Sequence, residues 1–161
     1  MFFINLIFAL VPILGFSADL PATAEQEEYC NERFNFCVTY PNNYFTEKTY
    51  ADNGDGVVMA TADSRVELDV MGAYNVMNWS VQDIIDSYFK SIKNKPMEVE
   101  LSELKTEASK GSAKMTYNYE IQLFQVNMLG DTYITTIITV PASEPELLND
   151  LVNKIQVAFP T

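Results

Sequence analysis

The sequence predicts an α+β fold, an antiparallel β-sheet with amphipathic helices packed on it. Three observations predict it. Several segments alternate apolar and polar residues, clusters of Gly, Asn, Asp and Pro separate them at short intervals, and two later stretches change to the 3.6-residue period of a helix.

The chain opens with an apolar run from Phe2 to Phe16, interrupted only by Asn5, Pro12 and Gly15. That is too short for a transmembrane helix but suits the core of a secretory signal peptide. Small residues flank two cleavage positions, after Ser17 and after Ala24, and the second is preferred. The expected organisation is a signal peptide over residues 1–24 and one domain over residues 25–161. No Lys or Arg precedes the apolar run, so retention as an N-terminal anchor stands as the alternative. The expected location is periplasmic or extracellular, with no stable membrane insertion once the signal is removed.

Residues Asp19 to Glu28 are small and polar and read as a leader. Phe36, Val38 and Tyr40 alternate with Cys37 and Thr39 in a strand that Pro41 ends. If residues 29–31 and 35–40 form a hairpin turning around Arg33 and Phe34, Cys30 and Cys37 fall opposite one another, within reach of a cross-strand disulfide. The C-x-x-C spacing of a redox pair is absent, so the bridge is read as structural. Asp52 to Gly56 forms a turn into a strand from Val57 to Thr61. Ala62 to Arg65 forms another, before Val66, Leu68 and Val70 alternate with Glu67, Asp69 and Met71.

The period then lengthens. Val81, Ile84, Ile85, Tyr88 and Ile92 make one apolar stripe on a helix over residues 81–93. Ser80 and Asp83 form its capping box, Trp79 staples onto Ile84, Lys90 and Lys93 complement the C-terminal dipole, and Pro96 stops it. Three strands are expected next: Met97 to Leu101, one long alternation from Lys114 to Leu123, and Thr132 to Val140 after a turn at Leu129, Gly130 and Asp131. A closing helix is expected over about residues 144–157, with Ser143 and Glu146 as its capping box. Its buried stripe is Leu147, Leu148, Leu151, Val152, Ile155 and Phe159.

Composition narrows the functional classes. The formal net charge is −12, from 22 acidic and 10 scattered basic residues. Nucleic acids and anionic membranes are therefore excluded as partners, because both require clustered cations. There is no histidine, which removes histidine-based triads and histidine metal ligands. Asp83 with Asp86, and Glu98 with Glu100, read as solvated faces, and the polar side of Lys114 to Gln122 is the place a carboxylate hydrolase would use. The loop holding Asp52 and Asp55 invites a cation. It lacks EF-hand spacing, with Ala51 and Ala62 at ligand positions, and reads as a hairpin loop. Asn78-Trp79-Ser80 matches a glycosylation sequon but serves more economically as a helix cap. No catalytic residue, cofactor or metal ligand is assigned. Tyr50 and Tyr74, beside acidic loops, would edge a recognition surface if their loops cluster.

An aromatic strand ending in Tyr-Pro (Phe36 to Pro41), a Gly-containing loop, paired strands, an amphipathic helix, further strands and a terminal helix closing on Phe159 appear in that order. This order resembles the PsbP and Mog superfamily, whose members include the extrinsic photosystem II subunit P, the Ran-binding Mog proteins and many exported bacterial proteins. The resemblance spans about residues 29–159 and implies an α/β/α sandwich, an antiparallel sheet between helices. No residue set matches a functional motif of the photosynthetic or Ran-binding members, so neither activity carries over. The leading expectation is an exported, non-enzymatic interaction or accessory module with a protein partner. The alternatives are a cation or small-ligand carrier using acidic loops and a carboxylate-based hydrolase.

Overall fold

A computed structural model describes residues 25–93 and 99–160. The proposed signal peptide, Pro96, Met97 and Glu98 lie outside the described residues. Among the described residues, two amphipathic helices pack on two antiparallel sheets.

The alternating segments become β1 (Gln26–Asn31), β2 (Phe36–Pro41), β3 (Glu47–Tyr50), β4 (Gly56–Ala60) and β5 (Glu67–Tyr74). Helix α1 (Val81–Lys93) follows, then β6 (Val99–Thr106), β7 (Lys110–Tyr117), β8 (Glu120–Leu129), β9 (Thr132–Pro141), helix α2 (Pro145–Lys154) and β10 (Gln156–Ala158). Seven strands form the main sheet in the order β3-β4-β5-β9-β8-β7-β6, and β1-β2-β10 form a small second sheet.

Period-two alternation gives the main sheet two apolar faces, each needing a cover. On one face Val57, Met59, Leu68, Val70, Ile134 and Ile138 meet α2 and the small sheet, including Phe36, Val38 and Tyr40. On the other, Ala113, Met115, Phe124 and Val126 meet Val81, Ile84, Ile85 and Ile92 of α1. The helices therefore lie on opposite faces, as in an α/β/α sandwich. At Gly111 a side chain would collide with Val81 Cγ1 at 2.5 Å, so the missing Cβ lets α1 rest directly on β7. The α1 start is the expected box: the Ser80 hydroxyl and amide donate to Asp83 at 2.6 and 2.9 Å, and the Asp83 amide donates back to the Ser80 hydroxyl at 3.2 Å.

The β1–β2 hairpin has the expected register, with Cys30 opposite Cys37 and a closed disulfide between them across a Cα–Cα distance of 4.0 Å. Replacing both cysteines by serine is expected to cost about 2 kcal/mol, because the closed loop is short. Denaturant unfolding measures this, and reduction of the native protein should reproduce it.

Four expectations are corrected. The leader is shorter than expected: β1 begins at Gln26 and pairs as far as Pro41. Strand β3, on the sheet edge and mostly exposed, has no alternating apolar signal and was not foreseen. The long strand from Lys114 to Leu123 is a hairpin, since the chain reverses at Asn118 and Tyr119 and Tyr117 pairs with Glu120. Asn118 takes a positive φ of 52°, a conformation that Asn tolerates. The last helix runs only from Pro145 to Lys154, and Glu144 rather than Ser143 sits at its N-cap, with no side-chain capping bond. Ile155 is extended, and residues 156–158 leave the helix to pair with β2.

Candidate functional site

The β1–β2 turn, the β3–β4 loop, the β5–α1 loop and the β8–β9 turn all emerge at the same end of the molecule. The register fixes this: Tyr50 pairs near Val57, the Gly72 amide donates to the Asp55 carbonyl at 2.8 Å, and the Asn75 amide donates to the Asp131 carbonyl at 2.8 Å. The loops of Tyr50 and Tyr74 thus lie together, which meets the condition set for a recognition surface.

Arg33 joins them. Its guanidinium donates to the Asn53 carbonyl at 2.8 Å and to Asp55 Oδ1 at 2.6 Å, and lies over the rings of Phe34 and Tyr74 at 5.0 and 5.5 Å. A planar, always-charged group suits this double task, bridging a carboxylate while stacking on rings. Below it Asn31 donates to the Gly54 carbonyl at 3.0 Å and accepts from the Phe34 amide at 3.1 Å. Phe34 itself is buried against Gly72, where a Cβ would fall 2.3 Å from its ring. Tyr29 contacts Tyr50 across 5.8 Å between ring centres.

On this braced base, Tyr50, Tyr74, Val76 and Met77 are 60%, 51%, 81% and 65% exposed. Exposed aromatic and aliphatic groups thus stand beside the Arg33 cation and the Asp55 carboxylate. Asn75 fixes the loop that carries Val76 and Met77, accepting from the Trp79 amide at 2.8 Å and donating to the Trp79 carbonyl at 2.9 Å. Arg33 was missed as a site residue because its partners are 20 or more positions away.

The other candidates are placed elsewhere. Asp55 is taken by Arg33 and by Asn53, so the Asp52–Asp55 loop is a braced hairpin loop. Asp83 serves the α1 cap, and Asp86 accepts from Gln82 at 2.7 Å. The polar side of Lys114 to Gln122 does not exist as one face, because the reversal at Asn118 puts Lys114 toward α2 and Gln122 toward α1. Gln122 is buried and fully engaged, accepting from the Tyr88 hydroxyl at 2.9 Å and donating to Tyr117 and Thr139 at 2.7 and 3.1 Å. Burial pushes the Tyr88 and Tyr117 hydroxyls well above the ordinary phenol range.

Near this network lies Asp69, on the α1 face of β5. Burial, with a smaller contribution from Glu67, pushes its carboxyl up to about 6, and its Oδ1 is buried without a hydrogen-bond partner. Sequence alternation alone placed Asp69 on a polar face and gave no sign of its cover. Among the described residues, clefts of about 320, 330 and 380 Å³ indent the surface. One carries Glu107, another Glu103, and the third, between Trp79, Tyr88 and Tyr133, carries no carboxylate.

No protein-family model and no curated protein matches the sequence. Among solved structures, cyanobacterial PsbP (CyanoP) from Synechocystis sp. PCC 6803 is similar, with a TM-score of 0.62 at 13% identity over 88% of this chain and 98% of that one. A Bacteroides thetaiotaomicron VPI-5482 structure matches at a TM-score of 0.46 and 9% identity, over 84% of this chain and 49% of that one.

Proposed function

We propose that this PsbP-like chain is an exported, non-enzymatic accessory module that docks a protein partner through the loop end carrying Tyr50, Tyr74, Val76 and Met77. The observation that supports the reading most is Arg33, which spends its charge on bracing loops beneath an exposed apolar surface. Rigid anchors lose little entropy on binding, which is what a recognition surface requires. A PsbP-like fold agrees with an accessory rather than catalytic role. The closed disulfide is compatible with an extracytoplasmic location, and no helix among the described residues is long and apolar enough to cross a membrane.

Affinity purification of the tagged native protein from the envelope fraction is expected to return a defined partner. Tyr74→Ser/Met77→Ser should abolish its recovery while leaving the circular dichroism spectrum unchanged. Arg33→Lys should also reduce it, since an ammonium has no planar face to stack on Phe34 and Tyr74 while donating to Asn53 and Asp55. Equal recovery by wild type and both variants would refute the surface.

A further inference from the structure

We infer that β6 is a self-complementary edge through which two copies of this chain pair antiparallel about a two-fold axis. It is the longer of the two edges of the main sheet, eight residues against four in β3, and all of it but Val99 is exposed. Among the described residues no strand pairs with its outer side, and an open edge of that length presents a row of backbone donors and acceptors to any incoming strand.

Its side chains select which strand. A bulge shifts the register between Leu101 and Glu103, and the Ser102 hydroxyl donates to the Lys114 carbonyl at 3.2 Å. Leu101 pairs with Met115 and Leu104 with Ala113, both residues of the core under α1, so the bulge brings two leucines three positions apart onto one face. They are 38% and 45% exposed there. Glu100 and Lys105, opposite Thr116 and Ser112, share the other face.

Set a second β6 antiparallel, with the axis between Ser102 and Glu103. Leu101 then faces Leu104 of the second copy, Val99 faces its Thr106, and Glu100 faces its Lys105. Every pair joins residues of one face, which the odd spacing permits only because of the bulge. Each interaction occurs twice, as an isologous interface demands. Bulges and charges commonly guard edges against pairing. Here Glu100 and Lys105 are complementary about the axis, while Glu103 faces Ser102 and keeps Lys114 of its own copy at 3.6 Å, so the charges admit this edge. Within one copy, Lys105 pairs with Glu103 among the described residues, at 4.0 Å, and is 78% exposed at its side chain.

Sedimentation of the full chain over a concentration series tests this. The wild type is expected to show a monomer–dimer equilibrium. Glu100→Lys and Lys105→Glu should each weaken it about tenfold or more, because either places like charges opposite one another twice. The double variant Glu100→Lys/Lys105→Glu, which restores both pairs with reversed sign, should regain the wild-type equilibrium. A wild type that stays monomeric throughout, or a double variant no better than the singles, would overturn the inference.

Discussion

Phe124→Ala is expected to lower the unfolding free energy by about 3–5 kcal/mol, the range for emptying a buried aromatic site. Phe124 is 1% exposed, at the centre of the core under α1. Its ring stacks on Tyr88 of α1 with centroids 4.3 Å apart and planes 15° from parallel. Tyr88 cannot swing in to fill the void without giving up its hydroxyl bond to Gln122. Gln122 would in turn lose one of its three partners in a buried setting. The void therefore stays largely open, and the loss should fall in the upper part of that range. Urea unfolding followed by fluorescence measures it. Tyr119→Ala is the matched control: at 87% exposure it should change stability by less than about 0.5 kcal/mol.

Asp69→Asn is expected to stabilise the protein at pH 7, by about 1–3 kcal/mol. A shift from the usual carboxylate value of 3.8 up to about 6 sets the upper limit, and contact with solvent on one side of Asp69 reduces it. The sign follows from proton binding. Between about pH 4 and 6 the folded protein holds a proton on Asp69 that the unfolded chain has released, so stability falls as pH rises through that window and stays low above it. Asn carries no such charge. Wild type and variant should therefore converge near pH 4, separate between about pH 4 and 6, and stay apart by a constant amount up to pH 7. The groups facing Asp69 do not reverse this: Glu67 adds like charge, and from α1 the neutral Tyr88 hydroxyl is committed to Gln122. Carboxylates held down by hydrogen bonds, such as Asp63 beside Arg65 and Asp83 beside Ser80, act only below the ordinary carboxylate range. Paired denaturation curves across pH therefore isolate Asp69.

Much of the fold was legible because its elements announce themselves locally. The α1 cap, the Cys30–Cys37 hairpin and the Gly130 turn each depend on residues within a few positions of one another. The misreading of the longest strand has a plain physical source, which is that parity survives a two-residue turn. Met115, Tyr117, Tyr119, Ile121 and Leu123 keep strict alternation through the reversal at Asn118. Met115 nevertheless packs under α1 and Ile121 packs toward α2. Alternation reports which residues are apolar, not which face they reach. In the same way the apolar spacing of Leu151, Ile155 and Phe159 fits a helix, yet pairing with β2 draws residues 156–158 into a strand. Of the candidate site, the two tyrosines were visible as aromatic residues next to turns. The Arg33 brace was not, because it joins turns distant in sequence.

Site-specific photo-crosslinking in cells tests the central claim most directly. A photoreactive phenylalanine at Tyr74 or Met77 is expected to give one discrete adduct with a partner protein. The same group at Tyr119, a more exposed aromatic position at the opposite end of the sheet, should give none. Adducts from Tyr119 alone, or the same adducts from all three positions, would contradict a recognition surface at the Arg33 end.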